Sequence, residues 1–189
     1  MSKEVDQAGE VTVSRRRMTI ALAGAAGLGL TGAVLGAQTA PVPAGKPARI
    51  GAGDKLAIIE LIGLYAWYYD CGDAAAFAGT FTEDGVLEIF GTPRGQGRAA
   101  IEAFIRTGFE MRGDAGWQHL TDHHHFRDYT GDSVKVYSYY LMPVSDANGG
   151  NVTLRAMGYY VSDCVKVDGE WLFARREVFR WTGALPWQA

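Results

Sequence analysis

All four histidines of the chain fall within seven residues, His119, His123, His124 and His125, with Asp122 and Asp128 close by. Imidazole is the side chain whose ordinary pKa, about 6.5, lets it take up and return a proton near neutrality. On an unbroken strand running from Gln118, the two-residue period puts His119, His123 and His125 on one face and His124 on the other. Such a set could act in acid–base chemistry or form the polar wall of a pocket. With a carboxylate nearby it could also ligate zinc, iron or copper. Arg175, Arg176 and Arg180 alternate in part along one segment, and Arg155 stands earlier. Pointing inward, any of them would hold a carboxylate, phenolate or enolate, and pointing outward it would form surface ion pairs. Cys71 and Cys164 lack metal-site spacing and are too few for a disulfide scaffold, so they read as packed thiols or at most one bridge. The three glycines between residues 91 and 97 lack the spacing that cradles phosphate.

The elements that position these groups follow from periodicity. Asp54 suits an N-cap, and Leu56, Ile59, Ile62, Ala66 and Tyr69 mark the apolar stripe of a first helix that ends near residues 70–73. A short helix over 74–80 leads to a turn at 82–85, a strand over 86–90, a loop over 91–97 and a third helix over 98–110. The pattern then changes to period two over 117–129, 133–144, 152–167 and 170–181, with turn signals at 131–132, 148–150 and 168–169. Three helices and a run of long paired strands place the chain in the α+β class. Long strands must twist, so the sheet is expected to curl into a cone-shaped antiparallel wall around the three helices, with a hollow inside. The aromatic residues on the strands are core, interface or pocket lining. The apolar tail from Trp181 to Trp187 is expected over the cone mouth or against a neighbouring subunit.

The 189 residues, 48% hydrophobic and with formal net charge −3, describe one small domain plus a short extension. Beyond the first twenty residues no block of Lys or Arg appears, which argues against a nucleic-acid partner. Residues 1–40 read as an export signal: Arg15, Arg16 and Arg17 precede twenty uncharged residues, 18–37, that are too rich in Gly and Ala for a strong membrane span. The sequence Ser14-Arg15-Arg16-Arg17-Met18-Thr19 resembles the twin-arginine motif, with Met18 and Thr19 where Phe-Leu is commoner. A periplasmic or otherwise exported domain is therefore expected, touching a membrane only through this signal if it stays uncleaved. Residues 41–53 form a Pro- and Gly-rich linker, and the folded domain is expected over 54–189.

The succession Tyr65-Ala66-Trp67-Tyr68-Tyr69-Asp70-Cys71-Gly72-Asp73, Phe81-Thr82-Glu83-Asp84-Gly85, Gly97-Arg98-Ala99-Ala100-Ile101 and Val167-Asp168-Gly169-Glu170-Trp171, with Arg175 behind it, resembles the SnoaL-like branch of the nuclear transport factor two-like superfamily over about 135 residues. The resemblance implies the curled sheet and three helices already expected. Its members include dehydratases, a dehydrochlorinase, cyclases, isomerases, aryl lyases and binding modules without chemistry, so fold alone does not name a reaction.

In the dehydratase and dehydrochlorinase relatives an Asp at the end of the first helix pairs with a His at the start of the long strand after the third helix. The resemblance implies Asp70 and His119 for these roles. Tyr65, five residues before Asp70, is the implied third member, although that separation is about 140° around a straight helix. His123 is the alternative base, or the acid that assists a departing hydroxyl. A carboxylate on one ring nitrogen fixes the tautomer and leaves the other as general base. Substrate contacts are expected from Trp67, Tyr139, Tyr159, Phe179 and Arg175. These expectations amount to a cofactor-independent lyase, with no metal, acting by dehydratase-type elimination on a hydrophobic aromatic or polycyclic hydroxylated small molecule. A deformylating retro-aldol lyase, an isomerase or cyclase, a non-catalytic binding module and a histidine-rich metalloenzyme are the alternatives. A homodimer or homotrimer is expected because the convex side of such a sheet is apolar.

Overall fold

The structure is a computed structural model and describes residues 49–188. The expected export signal, and all but the end of the expected linker, lie outside these residues. Helix α1 (Ala52–Cys71) starts two residues before Asp54, with Gly51 at its N-cap and no side-chain cap. Asp54 lies in the first turn, where a negative charge favours the helix dipole. Its carboxylate accepts from Lys166 Nζ (2.6 Å), Tyr129 OH (2.9 Å) and Trp171 Nε1 (3.0 Å), which ties the helix start to the far end of the sheet. The helix stops where Gly72 turns left-handed at φ +84°, and the Gly72 and Asp73 amides close on the carbonyls of Tyr69 and Tyr68. Asp73 then caps α2 (Ala74–Gly79) by accepting from the Ala76 amide.

The expected turn at 82–85 and loop at 91–97 are both largely strand: β1 (Phe81–Ile89) and β2 (Thr92–Gln96) form a hairpin. The turn residues survive as a bulge, because β1 uses Phe81 to Val86 to span what β7 covers from Phe173 to Arg175. Pro93 is compatible with β2 because that strand is the sheet's edge. Helix α3 (Arg98–Arg112) follows, then β3 (Gly116–Trp117), β4 (Leu120–Arg127), β5 (Ser133–Ser145), β6 (Thr153–Val167) and β7 (Glu170–Arg180).

The sheet order is β2-β1-β7-β6-β5, with β3 and β4 in turn on the outer side of β5. All pairs are antiparallel except β1 with β7, so the expected meander is extended by two strands whose inner member runs parallel to the last. The α+β class and curled sheet around helices are as expected. Ile58, Ile62 and Tyr65 of α1, Phe77 of α2 and Ile101 and Ile105 of α3 pack with Phe81, Val136, Tyr160 and Phe173 on the concave face. The buried stripe of α1 is Ile58, Leu61, Ile62, Tyr65 and Ala66. Leu56 and Ile59, expected inside, are exposed. The helix is apolar on every side, so periodicity could not select the buried face.

Candidate active site

The long strand expected over 117–129 is broken twice, and both breaks shape the site. Between β3 and β4, Gln118 and His119 leave the regular ladder on β5. The His119 amide, freed from sheet pairing, donates to Asp70 Oδ2 at 2.8 Å, while its ring Nδ1 meets Asp70 Oδ1 at 2.7 Å. Both side chains are largely buried, at 13% and 14% exposure. Asp70 is in the last turn of α1, where the helix dipole disfavours an anion. Arg112, in the last turn of α3, donates from Nη1 to the carbonyls of Tyr69 and Asp70 there. The Tyr69 ring packs edge-on against His119, 4.9 Å between centroids. With Nδ1 engaged, Nε2 is the ring nitrogen left for other partners.

The second break is a bulge in β4. His123 and His124 together oppose Ser138 of β5, and His123 adopts φ +56°. The bulge reverses the side-chain alternation, so the expected common face of His119, His123 and His125 does not form. His123 is turned outward with its side chain 71% exposed, against Asp122 and the Tyr139 ring. His125 packs against Trp187, with ring centroids 4.4 Å apart and the planes tilted. His124, expected to face away, turns inward instead. Its Nδ1 is buried without a partner, and burial, with Arg176 and His123 adding to it against Asp122, holds its pKa below the ordinary value. Among the described residues no three His, Cys, Asp or Glu side chains are arranged so that they could hold a metal ion.

His119 is in the partition between two cavities. The inner one, about 630 Å³, is the hollow of the cone, and Tyr65, Tyr69, Trp117, Tyr140, Tyr160 and His119 form much of its wall. The outer one, about 790 Å³, runs from α1 across β4 and holds Trp67, Asp70, His119, His123 and Tyr139. Trp67 and Tyr139 thus share a cavity with the Asp70–His119 pair but stand outside the cone. Tyr159, Phe179 and Arg175 line neither cavity. Tyr159 and Phe179 stack on each other at 4.9 Å on the convex face. Arg175 is ion-paired with Glu88 and, at 3.6 Å, with Glu177. The expectations for Arg175 and Phe179 fail because β7 carries an extra residue, Ala174, opposite the Asp163–Cys164 step, and the strand parity changes there. Tyr159 alternates outward on β6, whose buried positions are Gly158, Tyr160, Ser162 and Cys164. Arg176 and Arg180 are the inward arginines of this strand; Arg176 is fully buried and Arg180 lines the inner cavity.

Arg176 lies 4.3 Å from the Tyr65 ring, 3.9 Å from Tyr160 and 4.6 Å from Phe173. It donates from Nη1 to Ser162 Oγ at 2.6 Å, while Nε and Nη2 have no partner. Tyr65 is at the floor of the cone in contact with this cation. Burial raises the Tyr65 pKa and Arg176 opposes the rise, so the phenol stays protonated at neutrality. Arg112, Trp117 and Tyr140 were not foreseen as part of the site. The only sequence signal for Arg112 was its place in a last helical turn, where cations are common. Cys71 is exposed and Cys164 buried, both as free thiols, and burial pushes Cys164 up to about 12. The tail packs Trp187 on His125 and Tyr137, on the outer side of the sheet and not over the cone mouth.

A family model described as the SnoaL-like domain matches residues 52–177. The chain belongs to the SnoaL-like domain family. Solved structures agree in fold. ActVI-ORFA from Streptomyces coelicolor is 26% identical over 68% of this chain and 98% of its own, with a TM-score of 0.62. Rv3472 from Mycobacterium tuberculosis, described as of unknown function, is also 26% identical, over 69% of this chain and 76% of its own, with a TM-score of 0.60. A protein from Novosphingobium aromaticivorans, described as NTF2-like with a cystatin-like fold, is 23% identical over 70% of this chain and 84% of its own, with a TM-score of 0.59. No curated protein matches the chain. The SnoaL-like match covers α1 through most of β7, and so every residue of the Asp70–His119–Tyr65–Arg176 group.

Proposed function

We propose that this SnoaL-like domain is a lyase that removes water from a hydrophobic, aromatic or polycyclic hydroxylated small molecule inside the cone, using its own side chains. The observation that carries the reading is the double contact of Asp70 with the ring and amide of His119 at the wall of an aromatic-lined hollow. Asp70 keeps the proton of neutral His119 on Nδ1, so that Nε2 is the base, and it stabilises the imidazolium once Nε2 has accepted a proton. His119 takes the proton from the carbon beside the one bearing the hydroxyl. The C–H electrons form the double bond as the C–O bond breaks. Tyr65 gives its proton to the departing oxygen, water leaves, and Arg176 faces the phenolate that results. Return of the proton from His119 to Tyr65 through solvent restores the starting state. His123, turned out of the cone, has no part in this scheme. The chain is proposed to be exported and to work as a homodimer or homotrimer, its exposed Leu120, Leu141 and Met157 being the apolar surface that a second copy would cover.

The test is a mass screen of hydroxylated aromatic and polycyclic compounds for loss of water, or of formaldehyde, with wild type, Asp70→Asn and His119→Ala. Wild type is expected to turn over a compound that either variant processes about 10²- to 10⁴-fold more slowly. Equal turnover by all three proteins would remove the reading.

A further inference from the structure

The charges around the cone are one-sided. Arg112, Arg155 and Arg180 line the hollow, and among the described residues no Asp or Glu does. The chain as a whole is net acidic, so this excess is a matter of placement. Arg98, Arg106, Lys135, Lys166 and Arg175 each have a carboxylate within salt-bridge distance, whereas among the described residues these three arginines have none. Arg49, Lys55, Arg94, Arg127 and Arg176 lack one there too, so what sets the three apart is their shared place around the hollow.

What holds them instead is aromatic or neutral. Arg155 lies over the Trp117 ring at 4.8 Å and Arg180 over Phe90 at 4.2 Å. Arg112 lies over Phe109 at 5.0 Å and donates to two backbone carbonyls, and its buried Nε has no acceptor. An aromatic face orients a guanidinium without neutralising it. Arg155 reaches the hollow because it is the extra residue of a bulge, between the Met142–Ala156 and Pro143–Leu154 pairs. A bulge of this kind re-aims a side chain that the strand's alternation would send outward. Cations around a low-dielectric cleft focus its field and attract anions.

We propose that the ligand of the cone is an anion: an aromatic or polycyclic molecule carrying a carboxylate or a comparable acidic group, which Arg155 and Arg180 engage while its ring system fills the apolar hollow. This deepens the lyase reading, and it rests on that reading only in taking the bound molecule to be the substrate. Arg155 and Arg180 are then determinants of specificity.

The experiment uses two probes of one skeleton, anilinonaphthalene sulfonate and its uncharged parent phenylnaphthylamine, titrated by fluorescence at low salt against wild type, an Arg155→Gln/Arg180→Gln double variant and Arg106→Gln. Wild type is expected to bind the sulfonate about tenfold more tightly than the neutral probe. The double variant should lose most of that preference while keeping its affinity for the neutral probe, and Arg106→Gln, which removes an exposed arginine outside both cavities, should keep both. Equal affinity of wild type for the two probes overturns the inference. So does a preference that survives in the double variant, which would place the sulfonate elsewhere, or a parallel loss of both probes. If the preference behaves as expected but no compound is turned over, the anion site stands and the lyase reading fails. If turnover depends on His119 but no charge preference exists, the reverse holds.

Discussion

Both oxygens of Asp70 are taken by one residue, His119, through its ring and its backbone amide. The carboxylate therefore sets the position of the main chain as well as the tautomer of the ring, which a single contact could not do. Beneath them, Arg176 is a buried cation held by three aromatic rings and one serine, with two donors unmet. Buried charge without an ionic partner is expensive to keep, so a role at Tyr65 is the physical reason to retain it. Arg176→Met is expected to leave stability unchanged or raise it, by up to roughly 1–4 kcal/mol. Turnover should fall at least about tenfold as the phenolate loses its cation. Thermal melts and the kinetics of the substrate found by screening check the two halves. A large drop in melting temperature would show instead that Arg176 is needed for the fold. Asp70 and His119 were legible in the sequence through their order and spacing. The inward member of the histidine run was not, because one extra residue in β4 exchanges His123 for His124.

Among the elements, α1 contributes Asp70 and Tyr65 and is tied down at its start by Asp54. Hydrogen bonds from Lys166, Trp171 and Tyr129, in that order of effect, hold the Asp54 carboxyl down at about 2, below its ordinary 3.8. Because the folded pKa lies below the unfolded one, the stabilisation is complete above pH about 4 and is lost as pH falls through about 2. Asp54→Asn is expected to melt below wild type at about pH 6, with the difference vanishing near pH 2, in melts recorded across that range. A constant difference at all pH values would assign its effect to packing. Strands β6 and β7 meet at Gly158, where a Cβ would stand 1.9 Å from the Phe179 carbonyl oxygen and 2.9 Å from Tyr140 Cε1. Gly158→Ala should destabilise by about 1–3 kcal/mol or more, read from the urea midpoint, because a backbone carbonyl cannot move aside as a side-chain tip can. Helix positions, strand order and hairpin turns of this part of the chain could be read from period and punctuation. The strand character of 82–85 and 91–97 could not. Gly, Pro, Asp and Thr signal turns locally, and it is pairing with β7 and an edge position that draws these segments into the sheet.

For the whole molecule, the proposal of export rests on residues 1–40. Replacing Arg15, Arg16 and Arg17 by Lys is expected to keep the full chain in the cytoplasmic fraction of a bacterial host that otherwise exports it. Fractionation and immunoblotting read the result, and unchanged export would point to a different route. Within the domain, the run of helices and period-two strands determined the α+β class, and Asp70 and His119 were the pair its family resemblance singled out. These are properties of local spacing and residue type, which a linear chain displays. Tertiary structure decided what lay across strands: that Arg176 faces in and Arg175 out, that Tyr159 and Phe179 lie outside the cone, and that three arginines without carboxylate partners among the described residues ring its hollow. The reason is parity. A single bulged residue, in β4, β6 or β7, sends every side chain beyond it to the opposite face, and its place is chosen by the partner strand.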